Sequence, residues 1–279
     1  MAFDIYAAVT DRIIQQMEQG VLPWAKPWGG ITGGAYSGST GKPYSLLNQM
    51  LLNKPGAYYT FNQVQKLGGS VRKGEKSQMV VFWKQIPVKE QNSQTGEIQE
   101  NLIPMLRYYN VFHIDQCEGI RVATGTQEQL HSDKDADSII RAYLDRTGVK
   151  LIHRIGDEAF YSPSRDCVVL PLPEQFKSME ERYSTAFHEL AHSTGHQSRL
   201  DRLRATARFG SESYSKEELV AEITAAALMN HTGIETKGSF RNSTAYIQNW
   251  LTALRNDKRL IISASGAASK AFEYITATS

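Results

Sequence analysis

His188 and His192 stand four residues apart, with Glu189 directly after the first, in the run Phe187-His188-Glu189-Leu190-Ala191-His192. On a helix this spacing projects both imidazoles from one face, about one turn apart. Neutral imidazole is a preferred zinc ligand, and two from one helix form half of a metal site. Glu189 can face the same side and take a proton from a water that the metal has made more acidic. The chemistry these residue types can do is metal-assisted hydrolysis. The pattern is short, but its flanks strengthen it: the segment reads helical from Met179, and Gly195 ends the run.

A catalytic zinc takes three protein ligands and leaves one position for water. The next helix offers Glu218 and Glu222 on a shared face, from which Glu217 is turned away. Ala221, Ala225, Ala226 and Ala227 would let that helix pack close to the first. His196 is another candidate, four residues after His192, although Gly195 breaks the helix before it. A His-Glu-x-x-His-x-x-Gly-x-x-His protease would need histidine at 198, where Ser198 stands. Glu218 is favoured, ahead of Glu222 and His196. Zinc is inferred from ligand type, and manganese or cobalt could substitute.

The elements that must position these groups follow from periodicity. After Met179 the chain reads helical to its end, with breaks at Gly195, Gly210 and Gly233. Before it come a helix near Asp137–Thr147 and strands near Val149–Ile155 and Asp166–Leu170. At the other end Ile5, Val9, Ile13 and Met17 recur every four positions, an amphipathic helix stopped by Gly20 and Pro23. The glycines between Trp28 and Tyr44 predict a mobile loop that lacks the Lys-Ser/Thr ending of a phosphate-binding loop. A short helix is expected over Leu46–Leu52. Thr60 and Gln63 form a capping box opening another helix, which Gly68 and Gly69 close. Met79–Val88 and Pro104–Ile114 read as strands, joined by a long flexible hairpin loop over Glu90–Asn101. Thr124–Gln129 is polar and aperiodic, a linker. The expectation is an α+β protein with one domain over 1–125 and a second over 126–279.

Composition bounds the partners. The 279 residues suit about two domains. Lys plus Arg is 31 against 29 for Asp plus Glu, a net charge of +2 that excludes a histone-like or polyacidic protein. No apolar run approaches the roughly 18 residues of a membrane span, and the N-terminus lacks the order of a signal peptide. Two cysteines, Cys117 and Cys167, suit a reducing compartment. A cytoplasmic protein without a membrane partner is expected.

The charge is uneven. Between Arg12 and Lys89, ten basic residues face only Glu18 and Glu75, a local charge of +8. Three of the four tryptophans fall in the same third of the chain. Cations neutralise phosphates, and aromatic faces stack on unpaired bases at about 1–3 kcal/mol each, so the combination suits single-stranded nucleic acid. Lys42, Arg72, Lys73 and Lys76 are the candidate phosphate contacts; Trp24, Trp28, Tyr44 and Phe61 are the stacking candidates. Each aromatic could equally serve the core, whereas three bases in the turn Arg72–Lys76 are rarely needed for folding.

Longer motifs carry a family resemblance. Asp11-Arg-Ile-Ile14, Gly20-Val-Leu-Pro-Trp-Ala-Lys-Pro-Trp28, Thr40-Gly-Lys-Pro-Tyr44, Asn48, Tyr59-Thr-Phe-Asn-Gln-Val64 and Gly68-Gly-Ser-Val-Arg-Lys-Gly-Glu-Lys76 resemble the single-strand-DNA-binding domain of ArdC-type antirestriction proteins. His188-Glu-Leu-Ala-His-Ser-Thr-Gly-His196, Arg199-Leu200, Phe209-Gly210 and Glu217-Glu-Leu-Val-Ala-Glu222 resemble their zincin-like peptidase half. The resemblance spans nearly the whole chain. It implies a plasmid-encoded protein that shields DNA entering by conjugation from host restriction. A similar N-terminal domain occurs in plasmid primases. The peptidase half also resembles short zincins that cleave phage repressors or act in DNA-damage responses. Their third ligand is a glutamate followed by alanine three and seven residues later, as Glu218, Ala221 and Ala225 are here. Glu222 replaces their usual asparagine, which implies a residue that orients a histidine.

Three functional expectations follow. In the first, single-stranded DNA is bound while the zincin site cleaves a restriction or other DNA-bound protein. In the second, the N-terminal half recognises a protein substrate, as in repressor or crosslink cleavage. In the third, the metal is structural and the protein only masks DNA.

Overall fold

The computed structural model describes residues 3–25, 34–52, 54–91, 98–121, 136–203, 212–234 and 244–277. Helix α1 (Ile5–Glu18) is capped by the Asp4 carboxylate, which accepts from the Ala7 amide, and buries Val9, Ile13, Ile14 and Met17. There follow β1 (Ala35–Ser37), α2 (Leu46–Leu51), β2 (Gly56–Tyr59), α3 (Phe61–Lys66), β3 (Ser70–Val71), β4 (Gln78–Gln91), β5 (Ile98–His113) and β6 (Cys117–Glu118). β1, β2, β5 and β4 form a sheet in that order; β1 runs parallel to β2, and the other neighbours are antiparallel. The Thr60–Gln63 capping box of α3 is complete, with both reciprocal bonds made. Such caps are worth about 1 kcal/mol. Asn48 on α2 bonds both the amide and the carbonyl of Val81 at 2.9 Å, so a side chain stands in for a strand at the edge of β4.

The other half contains α4 (Ala136–Thr147), β7 (Lys150–Arg154), β8 (Phe160–Ser162), β9 (Cys167–Pro171), α5 (Met179–Ser193), α6 (Glu212–His231), α7 (Thr244–Asn256) and α8 (Leu260–Thr276). β9 is buried throughout and lies between parallel β7 and antiparallel β8. α5 is capped by Ser178, which accepts from the Glu181 amide, and it ends just before Gly195. The architecture is α+β, as expected. Among the described residues no helix is long and apolar enough to cross a membrane.

Two large cores meet at α6. Leu219, Val220, Ile223 and Ala226 join a core that also holds Val9, Ile13, Met17, Trp24, Met50, Val81, Trp250, Leu254 and Ile261. Ala225, Leu228 and Met229 join the second core, with Tyr143, Val168, Leu170, Phe187 and Leu190. Residues from both sides of position 125 therefore build the first core. The expected linker Thr124–Gln129 lies outside the described residues, as does Gly210.

Four expectations need correction. Trp24, expected to stack on bases, is fully buried, with its ring 6.2 Å from that of Trp250 on α7. An aromatic beside lysines reads the same in sequence whether it faces solvent or a distant helix. The glycine-rich loop is shorter than expected, since Ala35–Ser37 is a strand and Gly38 packs on Tyr59. A Cβ at Gly38 would lie 2.0 Å from the Tyr59 ring, so glycine there serves close packing. The hairpin loop is shorter too, because the ladder continues through Val88↔Asn101 to Gln91↔Ile98. Those residues are polar and leave no alternation to read, yet a two-stranded ribbon needs only backbone pairing. Finally, α7 and α8 are separate helices, divided at residues 257–259. The third strand, β8, had no expected counterpart. Cys167 is buried and Cys117 half-buried; neither is in a disulfide.

Replacing Trp24 by alanine should cost about 3–5 kcal/mol of unfolding free energy, measured by chemical denaturation. Unchanged stability would contradict its place in the core.

Candidate metal centre

α5 presents its two histidines toward α6. Their rings lie 4.7 Å apart, centroid to centroid, and their Nε2 atoms converge to 3.1 Å. Glu218 on α6 meets both: its carboxylate oxygens lie 3.6 Å from His188 Nε2 and 3.5 Å from His192 Nε2. A tetrahedral ion bonded at about 2.0–2.2 Å needs ligand atoms about 3.4 Å from one another. The three residues form a triangle in which one ligand atom from each lies within 4.8 Å of the others, with the two Nε2 atoms 3.1 Å apart, close enough for a single divalent cation to draw together. Ala221 and Ala225 on α6 are fully buried, and their lack of bulk permits this approach.

Each histidine has a carboxylate on its far side. Glu222 lies 3.9 Å from His188 Nδ1, and Glu217 lies 3.5 Å from His192 Nδ1. Glu217 so placed favours the His192 tautomer that leaves Nε2 free to ligate, while Glu222 acts on His188 through its charge. Sequence spacing turned Glu217 away, and the structure corrects this. Arg202, from the segment after α5, grips Glu217 with Nη2 at 2.9 Å and Nε at 3.1 Å. The same guanidinium donates to Thr194 Oγ1 at 2.9 Å and to the Ala191 carbonyl at 3.0 Å, tying Glu217 to the end of α5. Arg199 anchors that segment further, reaching the Ser193 carbonyl at 2.7 Å and Asp166 at 3.0 Å. His196 turns aside and contacts Ser198 Oγ at 2.8 Å, away from the triangle.

The electrostatics match a site built for positive charge. Burial disfavours charge on His188, but the carboxylates of Glu218, Glu222 and Glu189 outweigh it and push its pKa up to about 9. The same carboxylates favour a cation between the two imidazoles. Burial likewise opposes ionisation of Glu217, yet His192 and Arg202 hold its carboxyl below the usual range. Glu189 is buried and lines the same cleft of about 750 Å³ as the triangle, with Glu222, Phe160 and Tyr246. Tyr246 was missed in the sequence. Burial and the neighbouring Glu222 push its hydroxyl well above its ordinary pKa. Its signal was its four-residue spacing from Trp250, which reads only as core.

The candidate DNA contacts are not gathered in the same way. Lys42, Arg72, Lys73 and Lys76 are exposed. Arg72 is held by Glu75 at 3.1 Å and also donates to the Asp115 carbonyl. Tyr44 is half-buried against Tyr58, ring to ring at 6.3 Å. Phe61 is exposed beside Phe112, 6.4 Å away, on the opposite face of the sheet. Trp24 is in the core, and Trp28 lies outside the described residues.

Known proteins share both halves. The family model described as a zincin-like metallopeptidase matches residues 138–267, and that of the N-terminal domain of anti-restriction factor ArdC matches 3–112. DNA primase TraC of Escherichia coli is 33% identical over 98% of this chain, but the chain spans only 20% of the primase. The uncharacterized protein y4eC of Sinorhizobium fredii (strain NBRC 101917 / NGR234) is 30% identical, over 98% of this chain and 92% of its own length. The crystal structure of antirestriction protein ArdC from plasmid R388 superposes with a TM-score of 0.73 at 36% identity, covering 98% of this chain and 97% of that one. Its Mn(II)-bound form superposes at 0.74.

Two outcomes are expected of this geometry. A cation must displace the His188 proton, so its affinity should rise about tenfold per pH unit up to about pH 9 and level off above. Competition against a chelator across that range measures it, and a flat profile would contradict the assignment. Arg202→Met should weaken cation affinity about 10–100-fold by releasing Glu217 from its post behind His192. An unaltered affinity would show that Glu217 does not position that ring.

Proposed function

Because the chain belongs to the ArdC family of antirestriction proteins, we propose that it binds single-stranded DNA entering a cell and protects it from restriction by means of a metallopeptidase site. The observation that carries the enzymatic part is the convergence of His188, His192 and Glu218, with Glu189 in the same cleft. His188, His192 and Glu218 hold the cation; zinc suits the donor set, and manganese is the alternative supported by the R388 relative. When bound, the cation supplies Lewis acidity, polarising a scissile carbonyl and acidifying water. Glu189 takes the proton of the attacking water and returns it to the leaving amine. Glu217 and Glu222 hold the two imidazoles in register, and Arg202 holds Glu217. The substrate is a protein acting on the incoming strand, such as a restriction enzyme, in the cytoplasm of the recipient.

Lys42, Arg72, Lys73 and Lys76 contact phosphates, with Tyr44 and Phe61 beside bases. The local charge of +8 and the full-length likeness to an antirestriction protein support this. The two family matches, over 3–112 and 138–267, support a division of labour between residues 1–125 and 126–279.

Glu189→Gln tests the chemistry. The variant should keep metal and single-strand affinity, since Glu189 is no ligand, and should lose protection when plasmid transfer into a restricting host is counted. Full protection by this variant would reduce the function to masking of DNA.

A further inference from the structure

The antiparallel pair β4–β5 exposes apolar side chains that the fold does not use. Phe82, Trp83, Leu102, Ile103, Met105, Tyr108 and Tyr109 are all exposed, although the same ladder buries Val81 and Leu106 lower down. An exposed apolar patch of this kind marks an interaction surface. Register sorts it into two faces. One face carries Phe82 and Lys84 on β4, and Arg107 and Tyr109 on β5, with Phe82 directly opposite Arg107. The Phe82 and Tyr109 rings lie 5.4 Å apart, each more than a third exposed at 39% and 38%. Each strand thus places one aromatic and one cation on this face, two residues and about 6.8 Å apart, with Met105 opposite Lys84. Tyr108 on the other face is contacted by Phe3, ring to ring at 4.9 Å.

Charge selects the occupant. Between Gln78 and Val88, and between Leu102 and His113, the charged residues are Lys84 and Arg107, without a single acid; Glu90 and Glu100 come only toward the tip. A second copy of this face would bring like charges together, whereas a polyanion with unpaired bases satisfies both residue types. From this placement we infer that the β4–β5 ribbon is the platform on which single-stranded DNA lies, with Phe82 and Tyr109 stacking on bases and Lys84 and Arg107 on the flanking phosphates. Half-buried Tyr44 abuts Tyr109 and extends the aromatic surface toward the body of the sheet. The platform rests on the strand-binding reading above and extends the contact surface beyond Lys42 and the turn at Arg72–Lys76.

The test is fluorescence anisotropy of a labelled oligothymidylate with the full chain, at several salt concentrations. Phe82→Thr with Tyr109→Thr puts β-branched residues, which suit strands, in the ladder and should weaken binding at least about tenfold. Lys84→Gln with Arg107→Gln should lower the slope of log affinity against log salt by about 1.4. Phe82→Tyr, which keeps the ring, should bind as the parent does. Circular dichroism checks folding; if the threonine pair does not fold, the glutamine pair, altered only at exposed tips, decides. A parent that binds no strand overturns the strand-binding reading and the platform with it. A parent that binds, with ribbon variants equal to it and Lys73→Gln/Lys76→Gln weakened, overturns the platform alone. Ribbon variants that change only the oligomeric state would assign the face to a second copy of the chain, and overturn it as well.

Discussion

Helix α6 has to be apolar on nearly every side and still deliver three carboxylates to one cleft. It lies between the two large cores and gives residues to each. A surface helix can present its acids at little cost; a buried one cannot, because each carboxylate taken from water must find a donor or a counter-charge. Glu217, Glu218 and Glu222 meet this demand in three ways. Glu217 takes Arg202, Glu222 lies beside His188 and near Tyr246, and Glu218 faces the two Nε2 atoms. The last of these arrangements is complete only with a cation.

That accounting explains the remaining parts of the centre. The segment after α5 folds back through Arg199 and Arg202, so a helix end becomes a second wall instead of a frayed terminus. Two histidines, each backed by a carboxylate, then have little freedom to rotate away from one another. Rigidity of this kind, more than ligand identity, separates a metal centre from a chance pair of histidines.

The two halves are joined by packing as well as by chain. Trp24 meets Trp250 edge to face at 6.2 Å, and Trp250 meets Tyr246 at 6.0 Å. Tyr246 in turn lines the cleft beside Glu222. A continuous run of rings therefore leads from the N-terminal segment to the metal centre, and α1 packs on α7 alongside it. Trp24, one of the four stacking candidates, is instead a fastener between halves.

Much of this was legible in the order of residues. Local, periodic features were readable: the α1 stripe, the Thr60–Gln63 cap and the pairing of His188 with His192 all depend on neighbours three or four positions apart. The helix repeat alone sets those relations. Exposure and facing were not readable, because they depend on what arrives from elsewhere in the chain. Trp24 and Phe82 are both aromatics in a basic stretch; α7 buries the first, while the second stays 39% exposed beside Tyr109. Glu217 sits one position from Glu218, and only the return of Arg202 makes it a partner of His192. Sequence by itself determined most of the helices and the ligand types. Tertiary structure alone decided which side chains are dry, since burial is a property of surfaces brought together from distant parts of the chain.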